Sequence, residues 1–326
     1  MSETFDIGLG NNDLNLRKKA NSDFVSFWSE QAKNLHWFSA WNQTLDWRPP
    51  FAKWFVGGKI NACYNALDIH QDTKSHKPAI LWEGENGDSK VITYSDLFIQ
   101  VQKFSNVLKS LGVNKGDRVT IYLPMVPELI IAMLACARIG AIHTVIFSGF
   151  SATSIKDRVD DSKSKIVITT DGGYRRGKIV KLKEVVDDAI KDLKFVKHVV
   201  VLERTKNDIL ISPKDKFWND LMDGISDSCV AEELDSDHPL YILYTSGTTG
   251  KPKGVLHGTG GYLTHLYSTF KWAFDIQDSD VFFCTADIGW VTGHSYVAYA
   301  PLLHGATQIM YEGAPDFPDM SRMWNI

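Results

Sequence analysis

Cysteine is sparse and unpaired in this sequence: Cys63, Cys136, Cys229 and Cys284 are scattered through 326 residues with no CxxC pair. That argues against a disulfide framework or a structural zinc site and for free thiols in a reducing compartment. Basic runs are also missing, and the net charge is −4, so neither nucleic acid nor an anionic membrane surface is indicated as a partner. No uninterrupted run of about 18 apolar residues occurs, which leaves no candidate membrane span. The opening stretch MSETFDIGLGNNDLNLRKK lacks the apolar centre of a signal peptide, and Asn42-Gln43-Thr44 is therefore a chance sequon. There is no internal repeat and no low-complexity tract. These absences together predict a cytoplasmic globular protein.

The hydrophobic content, 44% with 23% charged residues, supports a substantial core. Five of the ten tryptophans fall between Trp28 and Trp54, so the first part of the chain is unusually aromatic. From residue 78 onward short apolar runs alternate with helical patterns. PAILWEG, DRVTIYLP, IHTVIFSGF, KIVITT, KHVVVLE, LYILYTS, DVFFCTA and TQIMYEG read as strands. Between them, TYSDLFIQVQKFSNVLKSLGV sets Thr93 and Asp96 at capping-box spacing and Leu97, Val101, Phe104 and Leu108 on one face. PELIIAMLACARIGA is apolar enough for a buried helix, and further helices are expected near 262–274 and 295–304. This rhythm predicts an α/β fold of mainly parallel sheets covered by helices. SRMWNI at the end reads as the first turn of an amphipathic helix, so the sequence is expected to be truncated within a domain.

Residues 244–254, YTSGTTGKPKG, place three glycines, three threonines, a serine and two lysines directly after a strand. Glycine lets backbone N–H groups crowd around an anion. The hydroxyls of Thr245, Ser246, Thr248 and Thr249 and the charges of Lys251 and Lys253 add to this, so the loop suits a polyphosphate better than an ordinary solvated turn. It is not a Walker A loop. GxxxxGK[ST] requires glycine where the chain has Thr245 and a hydroxyl residue where it has Pro252, and the proline prevents a helix from running straight out of the loop.

The stretch YTSGTTGKPKGVLH resembles the phosphate-binding signature of the adenylate-forming superfamily. FVGGKINACYNALDIH, TIYLPMVPELIIAMLACARIGAIHTVIFSGFS, TADIGWVTGHSYVAYAPLLHGAT and YEGAPDFPD resemble its acetyl-CoA synthetase (acetate–CoA ligase) family, over about residue 24 to the end. The resemblance implies an AMP-forming ligase. In that family a carboxylate attacks the α-phosphorus of ATP, pyrophosphate leaves, and the thiol of coenzyme A then displaces AMP from the acyl-adenylate. It implies residues 1–77 as an N-terminal aromatic-rich extension and 78–326 as an AMP-binding domain, incomplete at its C-terminus and without the family's small C-terminal domain.

Carried over residue by residue, the resemblance implies phosphate binding by Thr245, Ser246, Gly247, Thr248, Thr249, Gly250, Lys251 and Lys253. It implies an acyl pocket walled by Trp290, Val291 and Thr292, with Lys251 and Thr292 at the reacting groups. Coenzyme A is expected at Arg175, Arg176, Gly177, Lys178, Thr292 and Asp316. Arg176 stands where the family is expected to have a small residue, and Asp316 where it usually has asparagine. His294 has no proton to take from an ionised carboxylate and is expected to hold the loop. ATP, Mg²⁺ and coenzyme A are the expected cofactors and substrates, and no metal ligand is expected within these residues. The adenine-binding Thr–Glu motif and the catalytic lysine of the family have no match before Ile326. A propionate- or other short-chain-specific enzyme remains an alternative, as does a non-catalytic nucleotide- or coenzyme A-binding chain. Oligomeric state is left open.

Overall fold

The computed structural model of the protein describes residues 10–245 and 251–326, with side chains from residue 14 onward. Ser246, Gly247, Thr248, Thr249 and Gly250 lie outside the described residues. The N-terminal segment begins with helices Gly10–Ser22 and Phe24–Ala32, the second capped by Asp23, whose carboxylate accepts the Ser26 N–H at 3.0 Å. A hairpin follows, strand β1 (Gln43–Arg48) against β2 (Phe51–Val56), then the short strand β3 (Lys59–Ile60). The aromatic side chains of this segment pack on helix Thr259–Phe274. Phe27 lies 5.8 Å from Trp272, Trp28 lies 6.4 Å from His265, and Phe24 lies 5.7 Å from Trp54. Trp37 and Trp41 pack on Phe55 within the segment, and Trp47 stays exposed, so only part of the cluster brings apolar surface out of water against that helix.

The strands of the α/β part are β4 (Pro78–Gly84), β5 (Ser89–Thr93), β6 (Arg118–Ile121), β7 (Ile142–Val145), β8 (Ile166–Thr170), β9 (Gly173–Arg175), β10 (Lys178–Val180), β11 (His198–Leu202), β12 (Asp215–Phe217), β13 (Leu234–Asp235), β14 (Pro239–Thr245), β15 (Lys253–Gly258), β16 (Val281–Phe283) and β17 (Thr307–Glu312). A seven-stranded sheet runs β12-β11-β8-β6-β7-β14-β15, and a four-stranded sheet runs β16-β17-β4-β5. Every pairing within these sheets is parallel except β14 with β15 and β4 with β5. The expectation of mainly parallel sheets is met.

Side-chain alternation explains why the central strands read as unbroken apolar runs. Ile166, Ile168, Val200 and Leu202 enter the larger core, whereas Val167, Val199 and Val201 enter a second core on the opposite face. Helices Ala152–Ser162 and Leu182–Ile190 contribute Ile155, Val159, Leu182 and Val186 to that second core. Helix Pro127–Arg138 belongs to the larger core and is buried at every residue but Glu128. Its one deep charge, Arg138, donates to both carboxylate oxygens of Asp68, at 2.8 and 2.9 Å, which satisfies a group that would otherwise be costly to bury.

Helix Tyr94–Ser110 starts at the Thr93/Asp96 capping box read from the sequence. The helix expected near 295–304 is present but irregular. Residues His294–Tyr299 form a π-helical stretch before Ala300–Leu303. Pro301 has no N–H to continue the preceding ladder, and a widened turn accommodates it. Three hairpin features are not legible as strands in the sequence: β1–β2, β9–β10 and β15. Each is short, exposed on at least one side or interrupted by glycine and lysine, so none carries an apolar run.

Candidate active site

Parallel strands open a crevice at their carboxyl ends, where loops diverge. Here both sheets contribute to one rim. Residues just past β6 (Pro124, Met125), β7 (Phe147, Ser148, Gly149), β16 (Thr285, Asp287) and β17 (Gly313) line two adjoining clefts of about 260 and 400 Å³. Arg175, at the end of β9, lines both. The two sheets are tied at this rim by Arg204, which follows β11. It donates to Glu312 of β17 at 2.9 Å and to Asp88 of the β4–β5 turn at 2.8 Å, and its guanidinium lies over Trp82 and Tyr174.

The basic segment Arg175-Arg176-Gly177-Lys178 forms the tight turn of the β9–β10 hairpin, exposed on the rim. Arg176 takes φ = 50° and Gly177 φ = 70°, the left-handed pair that such a turn requires. Arg176 donates to both oxygens of Asp316, at 3.1 and 2.8 Å. The two positions that depart from the family pattern are therefore partners of each other. Arg175 reaches toward the Gly313 carbonyl at 3.5 Å, and Lys178 is exposed.

Residues Asp287 to His294 turn sharply into the helical stretch Val291–Gly293. Asp287 is half-buried. Burial raises its carboxyl pKa, opposed by the Gly289 N–H, which donates at 2.7 Å, and by the charge of Arg175. Gly293 sits so close to the Asp287 carbonyl that a Cβ would lie 2.1 Å from its oxygen. This close approach sets where Val291 and Thr292 stand. Trp290 packs on Phe147 at 5.9 Å and edge-on to Phe150 at 6.1 Å, with half its surface exposed. Val291 lines a separate hollow of about 620 Å³ shared with Leu256 and His257 of β15, Tyr262 and Ser295. Thr292 is exposed.

His294 is fully buried. Its Nδ1 lies 3.3 Å from the Trp290 carbonyl oxygen, and burial pushes its pKa down to about 4. A neutral ring packed on Tyr241 and His143 suits holding the loop rather than moving protons.

The glycine loop hangs from the β14–β15 hairpin, whose last pair is Thr245 opposite Lys253. Thr245, Lys251 and Lys253 are exposed at this neck, while Ser246, Gly247, Thr248, Thr249 and Gly250 are outside the described residues. Tyr244, one residue before the neck, donates from its hydroxyl to Asp161 at 2.7 Å and lies under Arg158. The structure thus places Arg175 and Phe147 on one cleft, with Trp290 packed on Phe147, whereas Val291 lines the separate hollow beside β15. Arg176 and Asp316 meet each other. Sequence reasoning missed Met125, Phe147, Asp287 and Gly313, whose common signal is their place within four residues after a strand of the parallel series.

Comparison with known proteins gives two family matches along the chain. The profile of the AMP-binding enzyme family matches residues 67–326, and that of the acetyl-coenzyme A synthetase N-terminus matches residues 14–66. Acetyl-coenzyme A synthetase of Rubrobacter xylanophilus is 53% identical over 317 residues, covering 96% of this chain and 49% of that protein. The enzyme of the same name from Pyrobaculum aerophilum is 54% identical over 315 residues, covering 92% and 47%. The solved structure of acetoacetyl-CoA synthetase from Streptomyces lividans superposes with a TM-score of 0.87 at 29% identity, over 93% of this chain and 46% of that one. The chain spans about half the length of the curated relatives it matches. On these matches the chain belongs to the AMP-binding enzyme family and carries the acetyl-coenzyme A synthetase N-terminal segment before it.

Proposed function

We propose that this chain is part of an AMP-forming acetate–CoA ligase, which converts ATP, acetate and coenzyme A to acetyl-CoA, AMP and pyrophosphate through an acetyl-adenylate. The observation that carries this reading is that Arg175 of the basic hairpin and Phe147 line one cleft, with Trp290 packed on Phe147 at 5.9 Å. Adenylate formation gathers negative charge on phosphate oxygens, and fixed donors stabilise it. The neck residues Thr245, Lys251 and Lys253 are the described part of a loop fit for the β- and γ-phosphates. Trp290 and Val291 wall the acyl site, and the Thr292 hydroxyl faces the reacting carboxylate. Arg175, Arg176 and Lys178 receive the phosphorylated end of coenzyme A, where arginine can clamp a phosphate with two parallel N–H donors.

Mg²⁺ bound with the nucleotide would neutralise phosphate charge. Among the described residues no group of three or more His, Cys, Asp or Glu could hold a metal ion, so none of them is assigned to it. No helix among the described residues is long and apolar enough to cross a membrane, which fits the cytoplasmic setting proposed for an enzyme of small soluble substrates.

In the full-length protein, Lys251→Ala is expected to lower acetate-dependent ATP–pyrophosphate exchange by roughly 100-fold. An unchanged exchange rate would overturn the assignment of the loop. A full-length protein without any exchange would favour the non-catalytic reading. The likeness to acetoacetyl-CoA synthetase keeps a second acid in view. Each methylene changes discrimination by about 1–3 kcal/mol, so turnover of acetate, propionate, butyrate and acetoacetate compared side by side separates the readings.

A further inference from the structure

We infer that Glu85 is a positioning residue for coenzyme A: its single carboxylate fixes the basic hairpin against the loop after β17. The inference rests on the reading of that hairpin as the coenzyme A site. Glu85 directly follows β4 and is 7% exposed. Its Oε1 accepts the Gly177 N–H at 2.9 Å, and its Oε2 accepts the Ala314 N–H at 2.8 Å. Gly177 belongs to the β9–β10 turn, which follows strand β8 of the seven-stranded sheet. Ala314 lies two residues past β17, in the four-stranded sheet. One side chain therefore ties the β9–β10 hairpin to the end of the four-stranded sheet, at the point where Arg175 enters the cleft.

The surroundings leave this bridge little slack. A Cβ on Gly313 would lie 2.8 Å from the Glu85 Cβ, and one on Gly177 would lie 2.8 Å from the Phe317 ring. The turn and the loop are also joined by the Arg176–Asp316 pair and by Arg175 to the Gly313 carbonyl. A buried negative charge beside a site for an anionic ligand repels that ligand. Direct contact with coenzyme A would thus be the wrong use for Glu85, whereas two oxygens each taking one backbone N–H is a use only a carboxylate fills. The amide of glutamine offers one acceptor oxygen and, in place of the other, a donor facing an N–H.

The test uses the full-length protein. Glu85→Gln is expected to raise the KM for coenzyme A about tenfold, the scale of one hydrogen bond to a charged group. Acetate-dependent ATP–pyrophosphate exchange, which precedes coenzyme A, is expected to stay as it was. Glu85→Asp, which keeps both acceptors, is expected to recover most of the coenzyme A affinity. An unchanged KM in Glu85→Gln, with Arg175→Ala raising it, overturns the role of Glu85 and leaves the hairpin assignment standing. Equal loss of exchange and of coenzyme A turnover in both Glu85 variants overturns it too, by showing a general structural role. Should Arg175→Ala leave the KM unaltered, the hairpin reading falls and this inference with it.

Discussion

Arg176 and Asp316 illustrate what single residues can and cannot disclose. The basic cluster at 175–178 is readable from its letters, and so is the mismatch of Arg176 and Asp316 with the family pattern. That the two mismatches bond to each other is not, because 140 positions separate them. The pair is largely exposed, with side-chain exposures of 61% and 33%, and such pairs contribute less than about 1 kcal/mol. Asp316→Asn should therefore leave the urea midpoint of the full-length protein nearly unchanged. Its effect belongs to binding. Removing a negative charge beside a phosphate site should lower the KM for coenzyme A, by up to about fivefold at low salt and less at high salt. A titration of coenzyme A at two ionic strengths reads this out, and a rise in KM would mean that Asp316 itself holds the ligand. Glu85 stands at the other extreme. A lone glutamate in the turn EGENG carries no sequence signal, since its meaning comes only from the two backbone groups that meet it.

Among elements, a clear apolar pattern more than length decided which were legible: three-residue β16 was read and six-residue β1 was not. Helix Tyr94–Ser110 announces its start by Thr93 and Asp96 and its buried face by Leu97, Val101, Phe104 and Leu108. β8 and β11 announce themselves as apolar runs because both of their faces are buried. The β9–β10 hairpin has three residues per strand, and β10 is exposed throughout, so no periodicity can form. The loop from Asp287 to Gly293 is legible only as a motif, and its geometry depends on contact between two backbone segments. That contact makes a prediction. Gly293→Ala would force the Asp287 carbonyl and Gly293 apart from a 2.1 Å clash, displacing Val291 and Thr292. Misplacement of about 1 Å can cost about 100-fold in rate. Acetate-dependent exchange by the full-length variant should fall by that order, and the thermal midpoint should fall as well, because the three nearest atoms are all backbone. A variant with normal exchange would show that the loop's position is not demanding.

Taken as a whole, the molecule buries histidine in its neutral form. His294, His70 and His304 have pKa values pushed down to about 4, and His143 is pushed well below its ordinary value, in each case chiefly by burial. Below the unfolded value of 6.5 the unfolded chain binds protons that the folded chain refuses, so stability falls with pH from about 6.5 to about 4. Each such group contributes a slope of up to about 1.4 kcal/mol per pH unit. Thermal midpoints measured between pH 7 and pH 5 should decline, ahead of any loss from carboxylates such as Asp278, whose pKa lies at about 2 because Lys74 and Lys77 bond to it. A flat profile over that interval would contradict the burial of these rings. None of this was visible in the sequence, where ten histidines are only letters, because neutrality follows from packing rather than from neighbours along the chain.

The tie through Arg204 carries a consequence for how the molecule holds its shape. Glu312 is 1% exposed, and Arg204 is its partner across the junction of the two sheets. Because among the described residues no strand is common to both sheets, alignment along that junction depends on side chains that can let go rather than on a continuous ladder of main-chain bonds. A solvent able to compete for guanidinium would loosen the crevice before it unravelled either sheet, so substrate affinity would fade while the far-ultraviolet ellipticity still looked native.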